Sequence, residues 1–260
     1  MAREVATTSP IPRLTTRRLV PVSASASVTT QACHGAHPTD GLGHHRRSIT
    51  PENHLRFPIV NPGEGEGGLP DDVVAISVAT YSDDPGAFAA YGLNGVAGPF
   101  VKFAELLSPA ATVLDAGCGP GRDLARLANL GHRGVGVDLN VDFVRRARRE
   151  APTIHGDLRA LPLMPGYFDA VWASASLIHL PSDDAGVALS ELARVAKIGA
   201  PLGISVRTGG ITGWADDMPL GRRWFYNWVS DEFTTLIENA GLSVEEVSDD
   251  GLWIDVVARR

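Results

Sequence analysis

The sequence predicts an α/β fold: a doubly wound, mostly parallel sheet with helices on both faces and an antiparallel finish. Three observations carry that expectation. Short β-favouring runs alternate with helical periods through the middle of the chain. One run, Thr112-Val113-Leu114, leads into Asp115 and then three glycines at alternate positions, Gly117, Gly119 and Gly121. Near the end, Asp249-Asp250-Gly251 separates two apolar runs, which is a hairpin signal.

The glycine turn is the centre of the pattern. A strand, a tight turn and a helix start follow one another, and residues 123–130 put Leu124, Leu127 and Ala128 on one helical face. Glycine suits such a turn because a ligand packed there meets bare backbone N–H groups at a helix N-terminus. Further strands are expected at 134–139, 153–158, 168–174 and 201–206, with helices at 141–151 and 185–196 between them. A helix at 231–240, stopped by Gly241, precedes strands at 242–247 and 252–258. Upstream, 87–91 and 96–107 form helical pieces.

Charge and cysteine content exclude several classes. The formal net charge is −7, and residues 1–70 carry 7 basic and 5 acidic side chains, which leaves 71–260 at about −9. A nucleic-acid surface is not expected on so acidic a body, and the cluster Arg145, Arg146, Arg148 and Arg149 reads as a solvated helix face. No apolar run is long enough to span a membrane. Two cysteines, Cys33 and Cys118, make neither a disulfide framework nor a cysteine-rich zinc site, which suits a reducing, cytoplasmic setting. Residues 1–70 are rich in Pro, Ser, Thr, Gly and His, and are expected to be a disordered extension of a 71–260 domain. The extension holds five of the eight histidines beside Cys33; a solvated tail is the expectation, and no metal.

Three acids close three successive strands. Asp115 ends the first, suited to orienting the turn or a ligand ammonium group through water. Asp138 ends the second, where a carboxylate accepts from both ribose hydroxyls of a nucleoside. Asp157 ends the third, where it meets an adenine amino group while Leu158 packs on the ring. Acids cap helices and end strands everywhere. Three of them at one edge of an open α/β sheet point instead to a ligand.

Residues 113–123 (VLDAGCGPGRD), 136–138 (GVD), 156–158 (GDL) and 168–172 (FDAVW) resemble the successive motifs of class I S-adenosylmethionine-dependent methyltransferases, in the branch acting on small molecules. The resemblance spans roughly residues 80–260 and implies a Rossmann-like α/β/α sandwich of seven strands, the last antiparallel. It implies S-adenosyl-L-methionine as cofactor. Asp115, Gly117, Gly119 and Gly121 would line its methionine part, Asp138 and Leu139 its ribose, and Asp157 and Leu158 its adenine. Ala173 and Ser174 would border the transferred methyl, and Tyr91 would close over the cofactor.

The reaction so implied is in-line displacement, in which the protein aligns an acceptor and excludes water. A general base is needed only for an acceptor protonated at neutral pH. His179 is the candidate, either as that base or as a brace for its loop. Substrate contacts are expected between the fifth strand and the last helix, where Trp214, Trp224, Phe225, Tyr226 and Trp228 form a lid over the acceptor, a hydrophobic cap, or both. Arg207, Arg222 and Arg223 either bind an acceptor carboxylate or are solvated. The partner is a small-molecule acceptor, and the chain a monomer or homodimer. Two rivals stay open: a nicotinamide-dependent oxidoreductase and a non-catalytic cofactor binder. The first shares the glycine turn and the ribose acid. It lacks support from G-x-G-x-G spacing in place of G-x-G-x-x-G, and from the absence of a Tyr-x-x-x-Lys pair.

Overall fold

The computed structural model of the chain describes residues 72–91, 97–215 and 221–260, without the side chains of Tyr91 and Ala97. The extension over residues 1–70, its histidines and Cys33, and the cofactor-closing role of Tyr91 lie outside the described residues.

Two helices, α1 (Val73–Asp83) and α2 (Pro85–Tyr91), lead in, followed by α3 (Ala97–Glu105). The alternating core then runs β1 (Thr112–Ala116), α4 (Arg122–Asn129), β2 (Arg133–Asp138), α5 (Val141–Ala147), β3 (Thr153–His155) and β4 (Ala170–Ser174). A 3-10 turn at Leu177–His179 precedes α6 (Ser182–Val195) and β5 (Pro201–Arg207). A small hairpin, β6 (Gly213–Ala215) with β7 (Arg223–Phe225), comes before α7 (Ser230–Asn239), β8 (Ser243–Asp249) and β9 (Trp253–Arg259). Seven strands make one sheet in the order β3-β2-β1-β4-β5-β9-β8. The five-strand body is parallel, with Val113 opposite Ala170 and Val171 opposite Leu202. β9 is antiparallel to both neighbours and slots between β5 and β8, so the expected antiparallel finish is an insertion of the last strand.

Strand alternation sorts the core into two layers. Ala170 and Trp172 of β4 face Phe100 and Phe103 of α3 and Leu127 of α4. Val171 and Ala173 face the other way, with Leu114, Leu202 and Ile204, onto Leu189 and Leu192 of α6 and Phe233 and Ile237 of α7. β5 is buried almost throughout, as a strand covered on both faces must be. Each such Leu or Phe removed from water contributes about 1.5–3 kcal/mol.

Three elements differ from expectation. β3 stops at His155, because the chain turns at Gly156 to hydrogen-bond Asp138 O and residue 157 enters an ion pair described below. α1 was not legible: its apolar residues have no clean period, and it is held by the N-cap Asp72 and by docking. The β6–β7 hairpin was likewise unforeseen, its strands being three residues each. It docks on α1 through Thr80 Oγ1 to Arg222 O (2.7 Å) and Trp224 N to Ser77 Oγ (3.0 Å). Tyr226 N donates to Ile178 O (2.7 Å), which ties the insert to the turn after β4. Asn140 caps α5 with its side-chain oxygen and donates Nδ2 to Val78 O and Ser82 Oγ, both at 3.0 Å. α1 and the hairpin thereby lie across the carboxyl edge of the sheet.

Candidate active site

The glycine turn is pinned to the neighbouring strand: Gly117 N and Cys118 N both donate to Val137 O, at 2.8 and 3.0 Å. All three glycines have positive φ, +75°, +52° and +97°. Their surroundings separate them. A Cβ on Gly117 would stand 2.2 Å from Ser176 Cβ, and one on Gly121 2.9 Å from Ala147 Cα, so these two are demanded by the protein's own packing. On Gly119 a Cβ would meet nothing closer than Phe88 Cε1 at 3.8 Å. That position faces open space in front of the turn.

Asp138 comes to this turn from β2. Its Oδ2 accepts from Gly119 N (2.7 Å) and its Oδ1 from Asn140 N (2.8 Å). Burial pushes its pKa up to about 6, partly offset by those two N–H donors. Two of the carboxylate's acceptor directions are used, which leaves capacity for a ligand. Asp115 is buried beside the turn. Burial, then the nearby Asp123 charge, hold its carboxyl well above the ordinary range. Its Oδ2 has no hydrogen-bond partner, nor have Ser174 Oγ at the end of β4 and Ser176 Oγ against Gly117. Buried polar atoms are seldom left unpaired, and three around one turn form a polar nest with hydrogen-bonding capacity unused. Burial, with Asp115 and Asp138 nearby, pushes the Cys118 thiol far up, so it is not a thiolate nucleophile.

Behind the turn, Asp123 in the first turn of α4 accepts from Trp172 Nε1 (3.0 Å) and pairs with Arg122 and Arg126, both at 2.9 Å. This network locks the helix onto β4. The sequence reading passed over it, although an acid opening a helix is a common signal.

Several expected site residues are placed otherwise. Asp157 is bound at 2.6 Å by Arg159 Nη2, with both oxygens engaged, and Arg159 reaches on to Asp184 at 2.8 Å. Burial raises the Asp157 carboxyl, but the Arg159 hydrogen bonds outweigh it and leave the pKa low. The adenine-amino role of that carboxylate is therefore corrected: Arg159 has taken it, and half-buried Leu139 and Leu158 are the apolar surfaces nearby. Ala173 is fully buried with its side chain on the α6–α7 layer, whereas Ser174 ends β4 and is only partly buried. Between them and the 3-10 turn, Ala175 is held at φ +55°, a strained conformation for a residue with a Cβ.

His179 is corrected as a general base. Its Nδ1 lies 2.6 Å from Trp224 O, which only a donor can satisfy, so Nε2 is the acceptor for the Tyr81 hydroxyl at 2.8 Å. Burial lowers its pKa to about 4. Its lone pair is spoken for, and the ring braces the 3-10 turn between α1 and the hairpin. Tyr81 is the residue missed here: an aromatic at the site comes from α1.

The aromatic insert is a cap. Trp224 is buried in the core, Tyr226 stacks 4.3 Å from Trp228 and donates to Glu232 (2.8 Å), and Trp228 packs on Phe233. Trp224 thus lies in the core rather than over a site, while Tyr226 stays half-buried. Trp214 is half-buried under the Arg222 guanidinium, 4.3 Å from its ring centre. Arg207 stands 4.6 Å over the Phe225 ring. Arg223, far from being solvated, is 4% exposed.

Residues 113–199 match a family model described as a methyltransferase domain. Over those residues the chain is similar to S-adenosylmethionine-dependent methyltransferases of class I. The chain is 32% identical over 103 residues to a malonyl-[acyl-carrier protein] O-methyltransferase of Pseudescherichia vulneris, covering 38% of this chain and 40% of that one. It is 39% identical over 106 residues to a trans-aconitate 2-methyltransferase of an Azoarcus species, covering 38% and 40%. Among solved structures, a Burkholderia thailandensis 1,6-didemethyltoxoflavin-N1-methyltransferase with bound S-adenosylhomocysteine superposes with TM-score 0.58 at 19% identity, over 75% of this chain and 93% of that one. That last likeness is one of fold. The chain spans about half the length or less of the curated relatives it matches.

Proposed function

We propose that the chain transfers a methyl group from S-adenosylmethionine to a small-molecule acceptor by in-line displacement. The observation that carries this is the polar nest at the glycine turn: Asp115 Oδ2, Ser174 Oγ and Ser176 Oγ, buried and partnerless, beside Asp138 and the open side of Gly119. The residues fit the cofactor. Asp115 and the serines would hold its ammonium and carboxylate, Asp138 its ribose hydroxyls, and Leu139 and Leu158 its adenine. When bound, the sulfonium supplies an already electrophilic methyl. What remains for the chain is to orient the acceptor and exclude water, and α1 with the hairpin covers the edge where that happens. With the His179 ring lone pair engaged by the Tyr81 hydroxyl, the acceptor arrives in its nucleophilic form or loses its proton to another group or to solvent. The names of the relatives support the reaction class. Among the described residues no helix is long and apolar enough to cross a membrane, and no cluster of His, Cys, Asp or Glu forms a metal site.

Calorimetric titration with S-adenosylhomocysteine, and separately with NADH, tests this. Binding of the first alone is expected; binding of NADH alone would replace the proposal with the oxidoreductase reading, and binding of neither would leave no cofactor role for the nest. The glycines give a sharper check. Gly119→Ala is expected to fold, losing only the ~1–2 kcal/mol of a left-handed alanine, while its methyl intrudes on the cofactor and weakens S-adenosylhomocysteine binding by about tenfold or more. Gly121→Ala, which collides with the Ala147 backbone, should lose more stability than Gly119→Ala in thermal unfolding. The reverse order would mean that the open side of Gly119 is not ligand space.

A further inference from the structure

Arg223 is the only arginine or lysine among the described residues that is buried, and it has no carboxylate partner there. Its Nη1 donates to the Tyr81 hydroxyl at 3.0 Å. The guanidinium carbon stands 4.9 Å from the centre of the Tyr81 ring and 5.4 Å from that of Phe225. Nε and Nη2 are buried with no hydrogen-bond partner. These two donors lie along one edge of the guanidinium plane, pointing the same way. A guanidinium stays charged at any working pH, so the fold keeps a buried cation with a two-donor edge unsatisfied. Cation–π contact with two rings offsets part of the cost but gives nothing to those N–H groups.

The surroundings select the ligand. Arg207 lies over the same Phe225 ring at 4.6 Å and adds positive charge, while His179, bonded to Tyr81, is held neutral by burial. The place is next to the glycine turn. Phe88, whose ring centre is 4.6 Å from that of Tyr81, is also what a Cβ on Gly119 would meet first. A surface depression lined by Thr80, Tyr81, Asp83, Asp84, Phe88 and Gly221 shares Tyr81 and Phe88 with this cluster, and Asp84 in its lining already accepts from Gly86 N and Ala87 N. Two parallel N–H donors in a plane match the two oxygens of a carboxylate, the geometry in which arginine binds most specifically.

We propose that the Nε–Nη2 edge of Arg223 holds a carboxylate of the methyl acceptor, which makes the acceptor a small organic acid. The inference rests on the methyltransferase reading for the word acceptor; the carboxylate site itself does not.

The test is calorimetric titration of the full chain, with and without saturating S-adenosylhomocysteine, using glutarate, its neutral analogue glutaramide, and inorganic phosphate. Glutarate is expected to bind and glutaramide not to. Arg223→Gln should lose about tenfold or more in glutarate affinity, with S-adenosylhomocysteine affinity unchanged. Arg223→Lys keeps the charge but not the fork; it should fold, by circular dichroism, and show a similar loss, so it carries the test if the glutamine variant does not fold. Equal glutarate binding by wild type and variants, no glutarate binding at all, or tighter binding of phosphate than of glutarate would each overturn the proposal. If S-adenosylhomocysteine fails to bind while glutarate binding still depends on Arg223, the carboxylate site stands and the methyltransferase reading falls.

Discussion

Asp138→Ala is expected to weaken S-adenosylhomocysteine binding by about 2–3 kcal/mol, some 30–150-fold, as measured by titration at pH 7.5. Two effects add. The ribose hydroxyls lose a charged acceptor, and Gly119 N and Asn140 N lose the carboxylate that holds the turn in its binding shape. Asp138→Asn separates them: it keeps one oxygen for an N–H but offers the ribose a neutral, weaker acceptor, so an intermediate loss is expected. The pKa of about 6 gives a second readout. Ribose hydroxyls donate to the ionised form, so affinity should be constant well above pH 6 and fall as the pH drops through it. In the Asn variant that slope should vanish. Wild-type affinity that is flat from pH 7.5 to 5 would remove Asp138 from the ribose site.

Sequence legibility followed the physics of each element. The β1 turn was legible because glycine spacing, a closing acid and a helix period are all local, and the structure adds only which glycine faces outward. The resemblance implied an antiparallel last strand but not its place in the sheet; the hairpin signal at Asp249-Asp250-Gly251 speaks of pairing between two strands and says nothing about which of them touches β5. Asp157 misled because the decisive fact is Arg159 two residues on, whose side chain chose that carboxylate over solvent. His179 followed a strand, as a base would, but its role is set by Tyr81 and Trp224, distant by 98 and 45 residues in sequence. Arg223 is the same case in reverse. Beside Arg222 its side chain reads equally as an anion binder or as solvated, and only the start of β7 sends Arg222 onto Trp214 and buries Arg223.

His179→Ala is expected to cost about 2–4 kcal/mol of stability, from a stranded Tyr81 hydroxyl, a stranded Trp224 carbonyl and the cavity left behind. At roughly 2–4 °C per kcal/mol for a domain of this size, the loss is easily read in thermal unfolding. Turnover per folded molecule should change little, and the pH profile of kcat/KM should keep its shape; loss of a basic limb would restore the base role. His179→Asn, which keeps one donor for Trp224 O, should recover part of the stability. The two perturbed groups also oppose each other in acid. A histidine lowered from 6.5 to about 4 leaves the unfolded chain binding the extra proton, so its contribution falls as pH drops through that window. Asp138, raised from 3.8 to about 6, binds its proton in the folded state first, so its contribution rises as pH drops through 6. Between about 6 and 4 they offset, and the ligand-free protein should lose little stability there on their account. Bound cofactor holds Asp138 ionised and removes the offset. The stabilisation that saturating S-adenosylhomocysteine gives at pH 7.5 should therefore shrink steadily toward pH 5, and a stabilisation independent of pH would contradict the ribose role of Asp138.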